Sequence, residues 1–552
     1  MSKYTLGIDF GTLSGRAVLV DAENGRETAT SVYEYAHKVI DDRLPETNEK
    51  LPPDWALQDP ADYLRTLVLT VPDVLKKAKV SPADVIGIGI DFTACTLIPI
   101  DANRQPLSFD PRWKKNPHAW TKLWKHHAAQ PEANRINELA QEMSEPWLER
   151  YGGKISSEWF FSKTLQILNE APEVYEAADK LIEAGDWVVM ILTGKECRNA
   201  CAAGYKATWS KREGYPSKEF LKALHPRLEN VVDEKMSCDI YPVGTKAGDL
   251  LPEMAERMGL CPGTAVSVAS IDAHVALPAA TVTEPGKMVM IMGTSTCLMA
   301  LGNEPVIVPG TSGYVEDGII PGYIGFEAGQ ACGGDHLAWF VENCVPVEYS
   351  AEAKERGISV HDLLSEKAAK LEPGESGLIA LDWWNGNRSV LVDTDLTGMI
   401  LGLTLSTKPE EAYRALIEAT AFGTRMIIDT YEAHGVEINE LYACGGLVER
   451  NPVLMQIYSD VTGRELKIAA SSQTVALGSA IFGALAAGKA AGGYDNVAEA
   501  VKHMAHVKEE MYHPSAKGHE VYTRLYEEYK TLHDYFGRGA NDVMKRLKAF
   551  RK

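Results

Sequence analysis

At 552 residues the chain is too long for one hydrophobic core, and its 45% hydrophobic and 24% charged residues are those of an ordinary globular protein. A net charge of −20, from 56 basic against 76 acidic residues, argues against nucleic acid as a main partner. Nine scattered cysteines, with Cys197 and Cys201 spaced C-x3-C and no second pair, make neither a disulfide framework nor a zinc site. The start M-S-K-Y-T-L-G-I-D lacks the basic and apolar regions of a signal peptide. The most apolar helical stretch, residues 475–487, is too short to span a bilayer. These features predict a soluble, reduced, cytoplasmic protein with no membrane partner.

The chain opens with L-G-I-D-F-G-T-L-S-G-R at residues 6–16, running on into A-V-L-V-D. Two β-prone segments, 4–8 and 17–20, flank a turn of Gly, Thr and Ser, which predicts a β-hairpin. Asp9 closes the first strand, and Gly11, Thr12, Ser14 and Gly15 keep the turn small enough for backbone N–H groups to close round an anion. A carboxylate beside a phosphate-sized nest suggests hydrated magnesium on a nucleotide; an ordinary glycine turn explains the hairpin equally well when it is taken alone. V-I-G-I-G-I at 85–90 reads as a buried strand ending in D-F-T-A-C-T. Residues 113–159 read as helix rich in tryptophan, with packing the main role of most of those rings. Residues 184–209 read as a helix and then a glycine-marked loop, A-A-G-Y-K-A-T-W. A further buried strand, 264–270, leads into I-D-A-H at 271–274.

The opening layout returns at 287–301 as K-M-V-M-I-M, G-T-S-T-C and L-M-A-L, which suggests a duplicated ATPase with nucleotide between its halves. The break T-V-T-E-P-G puts the division between 1–281 and 282–552. Residues 409–434 form a strong helix, begun by Pro409 and ended by Gly435. A short strand, 441–444, runs into Gly445-Gly446, followed by Asn451 as N-cap, Pro452 as first helical residue and Gly463 as stop. Residues 495–552 read as helices packed as a tail, with exposed faces that would suit a homodimer. G-A-L-A-A-G-K at 483–489 nearly matches a P-loop, yet it lacks the magnesium-binding Ser or Thr and lies in an alanine-rich helix. His126-His127 has no companion pair at ligand spacing and reads as helix surface or a sugar-side hydrogen-bonding group.

The order D-F-G-T-x-S-x-R, S-I-D-A-H, M-G-T-S and A-C-G-G-L-V-E-R-N-P resembles the FGGY family of carbohydrate kinases, within the actin-like ATPase superfamily, over nearly the whole chain. D-F-T-A-C-T, L-W-K-H-H at 123–127 and A-G-Y-K-A-T-W are most similar to members that act on L-ribulose. One departure is Gln166, where many relatives carry Trp. The resemblance implies an α/β fold of two lobes, each a ribonuclease-H-like mixed sheet with flanking helices, and ATP and Mg2+ as cofactors. It makes Asp272 the general base for the sugar hydroxyl, with a helix cap as the plainer alternative. Asp9 would hold magnesium through water; Gly11, Thr12, Ser14, Arg16, Gly293 and Thr294 would face the phosphates; and Gly445, Gly446 and Asn451 would border the adenosine. Ala94, Lys206, Asp272 and Glu327 would form the sugar site, Lys206 and Glu327 being projected from loops rather than serving as plain surface charges. The expected reaction is transfer of a phosphoryl group to the 5-hydroxyl of L-ribulose. Rival expectations are a kinase for ribitol, xylulose or D-ribulose, and an actin-like or chaperone-type ATPase. A sugar-sensing regulator would need a basic recognition helix, which is not found.

Overall fold

The computed structural model describes residues 2–550. The opening β-prone segments pair antiparallel as strands Tyr4–Phe10 and Ser14–Asp21, with Glu27–Glu34 added outside. On its other edge Tyr4–Phe10 runs parallel to Val85–Phe92, then comes Ala265–Ser267, also parallel, and Lys246–Asp249, antiparallel. The second sheet repeats the plan. Gly286–Met292 and Thr296–Gly302 form its hairpin, with Ile324–Gln330 antiparallel outside. Ile438–Cys444 and Leu466–Ala469 follow in parallel, and Val507–Tyr512 closes the sheet antiparallel. The same sequence of two antiparallel and two parallel pairings, ended by an antiparallel edge, makes this an α/β duplication with the two-lobed actin-like architecture.

Helices complete each layer. Pro60–Ala78, capped by the Asp59 carboxylate, lays Tyr63, Leu67 and Val71 on the first sheet. Pro409–Ala433 buries Leu416, Phe422 and Ile427 on the second, where Tyr522, Tyr526 and Tyr529 of helix Ala516–Gly537 join the same core. A third core lies between the sheets and draws Val18, Val275, Met299, Phe482 and Met504 from both halves. Helix Thr474–Ala487 belongs to it, so a helix from the second half packs on strands of the first. Its approach is backbone to backbone: a Cβ on Gly7 or Gly89 would overlap the carbonyl of Ala476 or Ser479. The P-loop look-alike at 483–489 is thereby explained, because Gly483 is pressed against Ile88 and Gly89.

Three local expectations change. Residues 113–159 are mostly irregular, with α-helices at Gln130–Glu142 and Trp147–Arg150, a 3-10 turn at Pro117–Ala119 and a short strand at Thr121–Lys122. The tail includes the strand Val507–Tyr512, whose charged side chains point outward from a sheet edge. His126 is not helical: it is fully buried, with Nδ1 accepting from the Ala56 N–H at 3.3 Å and Nε2 2.9 Å from Oε1 of Gln166. The unusual Gln166 therefore has a buried partner.

Candidate active site

Each hairpin turn is closed by a glycine N–H. In the first, the Gly11 N–H donates to the Ser14 carbonyl at 2.9 Å; in the second, the Gly293 N–H donates to the Ser295 carbonyl at 3.0 Å. Thr12 is held from outside, its hydroxyl accepting from the Trp124 indole at 3.0 Å and its carbonyl from Gln58 at 2.8 Å. Gly293 and Thr294 are exposed, while their carbonyls accept from Gly333 and Gly334 at the start of helix Asp335–Cys344. Both turns are small, built mainly of Gly, Thr and Ser.

Between the turns lies a row of acids set by strand register. Asp9 stands opposite Arg16 on one side and Asp91 on the other, and Asp91 is level with Ser270, two residues before Asp272. Arg16 Nε is 3.1 Å from Asp9, and its other arm donates to Gln473 at 2.7 Å, tying the first hairpin to the inter-sheet helix. Asp91 accepts from the Ser479 hydroxyl at 2.6 Å. Burial, and then the charge of Asp9, push the Asp91 carboxyl well above the carboxylate range. Burial also raises Asp9, opposed by Arg16 and by the hydrogen bond with Asp91. Asp272 opens helix Asp272–Ala279, and its Oδ1 accepts from the next N–H, of Ala273, at 2.7 Å. Burial and the nearby Asp9 push it up to about 6. Among the described residues no three His, Cys, Asp or Glu side chains gather as direct metal ligands.

The sugar-side residues come together, though not on loops. Lys206 is the last residue of helix Ala200–Lys206 and Glu327 lies within strand Ile324–Gln330; both are buried. The Lys206 ammonium donates to both Glu327 oxygens, at 3.1 and 2.9 Å. Arg388 donates to Oε1 at 2.7 Å, and His274 Nε2 lies 3.2 Å from Oε2. Burial alone would raise Glu327, but Lys206, His274 and Arg388 hold it well below the carboxylate range. Burial would lower His274, yet the Cys201 sulfur and Glu327 outweigh it and bring the imidazole to about 9. Ala94 is half-buried in the turn after strand Val85–Phe92. Lys163 secures that turn: its fully buried ammonium donates to the carbonyls of Cys95 and Leu123 at 2.5 and 2.7 Å.

The adenosine-side expectations lie at the end of the second sheet. Gly445, at φ +104°, sits so close to Met292 that a Cβ would overlap its carbonyl, and Gly446 is exposed. Asn451 is buried and caps helix Pro452–Thr462, its side chain accepting from the Leu454 N–H at 3.1 Å. The sequence reading missed Asp91, Lys163, His274 and Arg388. Asp91 and His274 carry a signal, Asp91 because T-L-G-I-D and I-G-I-D close parallel strands alike, His274 because it stands in S-I-D-A-H.

Family models for the FGGY carbohydrate kinases match this chain at residues 4–278, N-terminal domain, and 288–487, C-terminal domain. It is 60% identical to a ribulokinase of Halalkalibacterium halodurans over 100% of the chain and 98% of that protein. It is 48% identical to a ribulokinase of Mycolicibacterium smegmatis, covering 100% and 96%. A xylulose kinase structure from Rhodospirillum rubrum superposes with TM-score 0.79 at 22% identity, covering 96% of this chain and 98% of that one. A gluconate kinase from Lactobacillus acidophilus gives 0.79 at 17%, covering 98% and 99%. At those identities the two structures speak for the fold alone.

Proposed function

The chain belongs to the FGGY family of carbohydrate kinases, and from that premise we propose that it transfers the γ-phosphoryl of MgATP to the 5-hydroxyl of L-ribulose, giving L-ribulose 5-phosphate for L-arabinose breakdown. The observation that carries this reading is the position of Asp272, between the two anion-sized turns and within electrostatic reach of the Lys206–Glu327 pair. An actin-like filament or chaperone ATPase has no need of such a polar set. Full-length likeness to ribulokinases supports ribulose as the acceptor.

Lys206 donates to the sugar oxygens and Glu327 accepts from its hydroxyls, while the small side chain of Ala94 leaves room for the carbon chain. Asp272 takes the proton of the 5-hydroxyl as that oxygen attacks phosphorus in line. At about 6, its carboxyl is mostly ionised at neutral pH yet basic enough to accept the proton. Thr12, Ser14, Arg16, Gly293 and Thr294 orient the phosphates through hydroxyl, guanidinium and backbone N–H groups. Gly445, Gly446 and the capped start at Asn451 leave a flat, close wall for adenosine. Asp9, half-buried beside Asp91 and near Asp272, suits a hydrated magnesium ion held through water, which would offset charge on the β- and γ-phosphates.

The test is ADP release at saturating ATP across the four 2-ketopentoses and the pentitols. The highest kcat/KM should be with L-ribulose. A preference for xylulose or ribitol would overturn the sugar, and turnover indifferent to every sugar would overturn the reaction.

A further inference from the structure

Arg388 comes from a segment that no sequence motif marks, and it enters the site from outside the sheet. Residues 387 and 393 bridge to close a loop, which is laid on strand Ile324–Gln330 by the Gly329 N–H donating to the Ser389 hydroxyl at 3.2 Å. Arg388 Cδ and Cζ each lie 3.3 Å, and the Thr296 carbonyl 2.9 Å, from where a Cβ on Gly329 would stand, so a side chain there would crowd the arginine. One terminal nitrogen donates to Glu327 at 2.7 Å and the other is 3.9 Å from Cys297 Sγ. Cys297 directly follows the second turn, through Thr296, and Asp272 is among its charged neighbours. The side chain remains 36% exposed.

A guanidinium has five N–H donors, and Glu327 takes one while the sulfur takes at most a weak second. Those left over lie near Cys297, which follows the second turn and has Asp272 among its charged neighbours. On the kinase reading Lys206 and Glu327 serve the neutral hydroxyls, and a planar, permanently charged fork best suits an anion with several oxygens. Lys206, Arg388 and His274 all face the one buried carboxylate of Glu327, with Asp272 and Glu158 farther off in their charge field.

We propose that Arg388 is a further catalytic residue: its free N–H edge takes the oxygens of the phosphoryl group in flight and then holds the phosphate of the product. The idea rests on the kinase reading above. In that step the bond from the γ-phosphorus to the ADP oxygen breaks, the bond to the sugar oxygen forms, and the hydroxyl proton passes to Asp272. Arg388 exchanges no proton.

The experiment compares wild-type, Arg388→Met and Arg388→Lys enzymes, with dissociation constants for the ketose and its phosphate in the presence of ADP, and kcat. The pair used is the ketose that the wild type turns over and its phosphate (L-ribulose and L-ribulose 5-phosphate on the present reading), so an error in the sugar leaves the arginine test intact. Arg388→Met should weaken the phosphate at least about tenfold and the free ketose less than about threefold, with kcat falling about a hundredfold. Arg388→Lys should recover part of both, as a point charge on a shorter fork. Equal weakening of ketose and phosphate would mean that Arg388 acts only by orienting Glu327, and no weakening of either would mean no role; each result overturns the proposal. If the methionine variant does not fold, the lysine variant decides by the same ratio.

Discussion

Replacing Asp272 with Asn removes the proposed base while keeping the shape of the side chain. A positioned general base contributes about 10²–10⁴ in rate, which is about 2.7–5.5 kcal/mol of the barrier. The kcat of Asp272→Asn should fall within that range while the KM for ATP changes less than about threefold. The wild-type enzyme supplies a second reading of the same group. A carboxyl at about 6 is roughly nine-tenths ionised at pH 7 and about one-tenth at pH 5, so kcat/KM for the sugar should drop about tenfold over that interval as pH falls. The group's folded value lies above its usual 3.8, so ionised Asp272 is disfavoured by the fold at neutral pH. The Asn variant should therefore melt no lower than the wild type. Coupled ADP-release kinetics from pH 5 to 8, with melting curves alongside, measure all three quantities. A variant retaining more than a tenth of kcat, or a flat wild-type profile between pH 5 and 7, would refute the role given to Asp272.

Lys206→Met removes a buried partner of Glu327, and breaking such a pair costs about 3–5 kcal/mol, less here because Arg388 and His274 remain. Its melting temperature should fall and its sugar KM rise at least about tenfold, while an unchanged sugar KM would remove Lys206 from the sugar site. Lys163→Met strands the carbonyls of Cys95 and Leu123, at about 1–3 kcal/mol for each buried group left unpaired. Loss of order in the Ala94 turn should weaken sugar more than ATP, and ligand titrations that weaken both alike would contradict this. Gly89→Ala forces a Cβ into the Ser479 carbonyl, where overpacking costs about 3 kcal/mol. Denaturant unfolding with a midpoint equal to the wild type's would show that the helix approach is looser than described.

The hairpins and the duplication are legible because their signals are local: strand alternation, an acid at the strand end, and turn residues with little choice of conformation. The Asn451 cap and the Gly463 stop follow from the same local chemistry, and both stand where expected. Lys206 and Glu327 lie on a helix end and in a strand instead of the expected loops, because glycine also serves close packing within regular elements. Gly204 instead admits the Val315 side chain, and Gly325 and Gly329 admit Ile319 and Arg388. These glycines exist for close packing within a helix and a strand. No local rule reveals that distinction, since the neighbour lies over a hundred residues away or on another element. Arg388 was beyond reach for a related reason: it sits in an irregular loop with no periodicity, and its meaning depends on a partner 61 residues away. His126 misled through exposure, since its burial is set by Gln166 and Ala56, 40 and 70 residues distant.

The most direct test of the account is to follow L-ribulose and MgATP with the enzyme by phosphorus and carbon NMR while ADP is counted. The account predicts one phosphate ester, on carbon 5, with one ADP formed for each. ADP appearing without ester, or ester on another carbon, would contradict it.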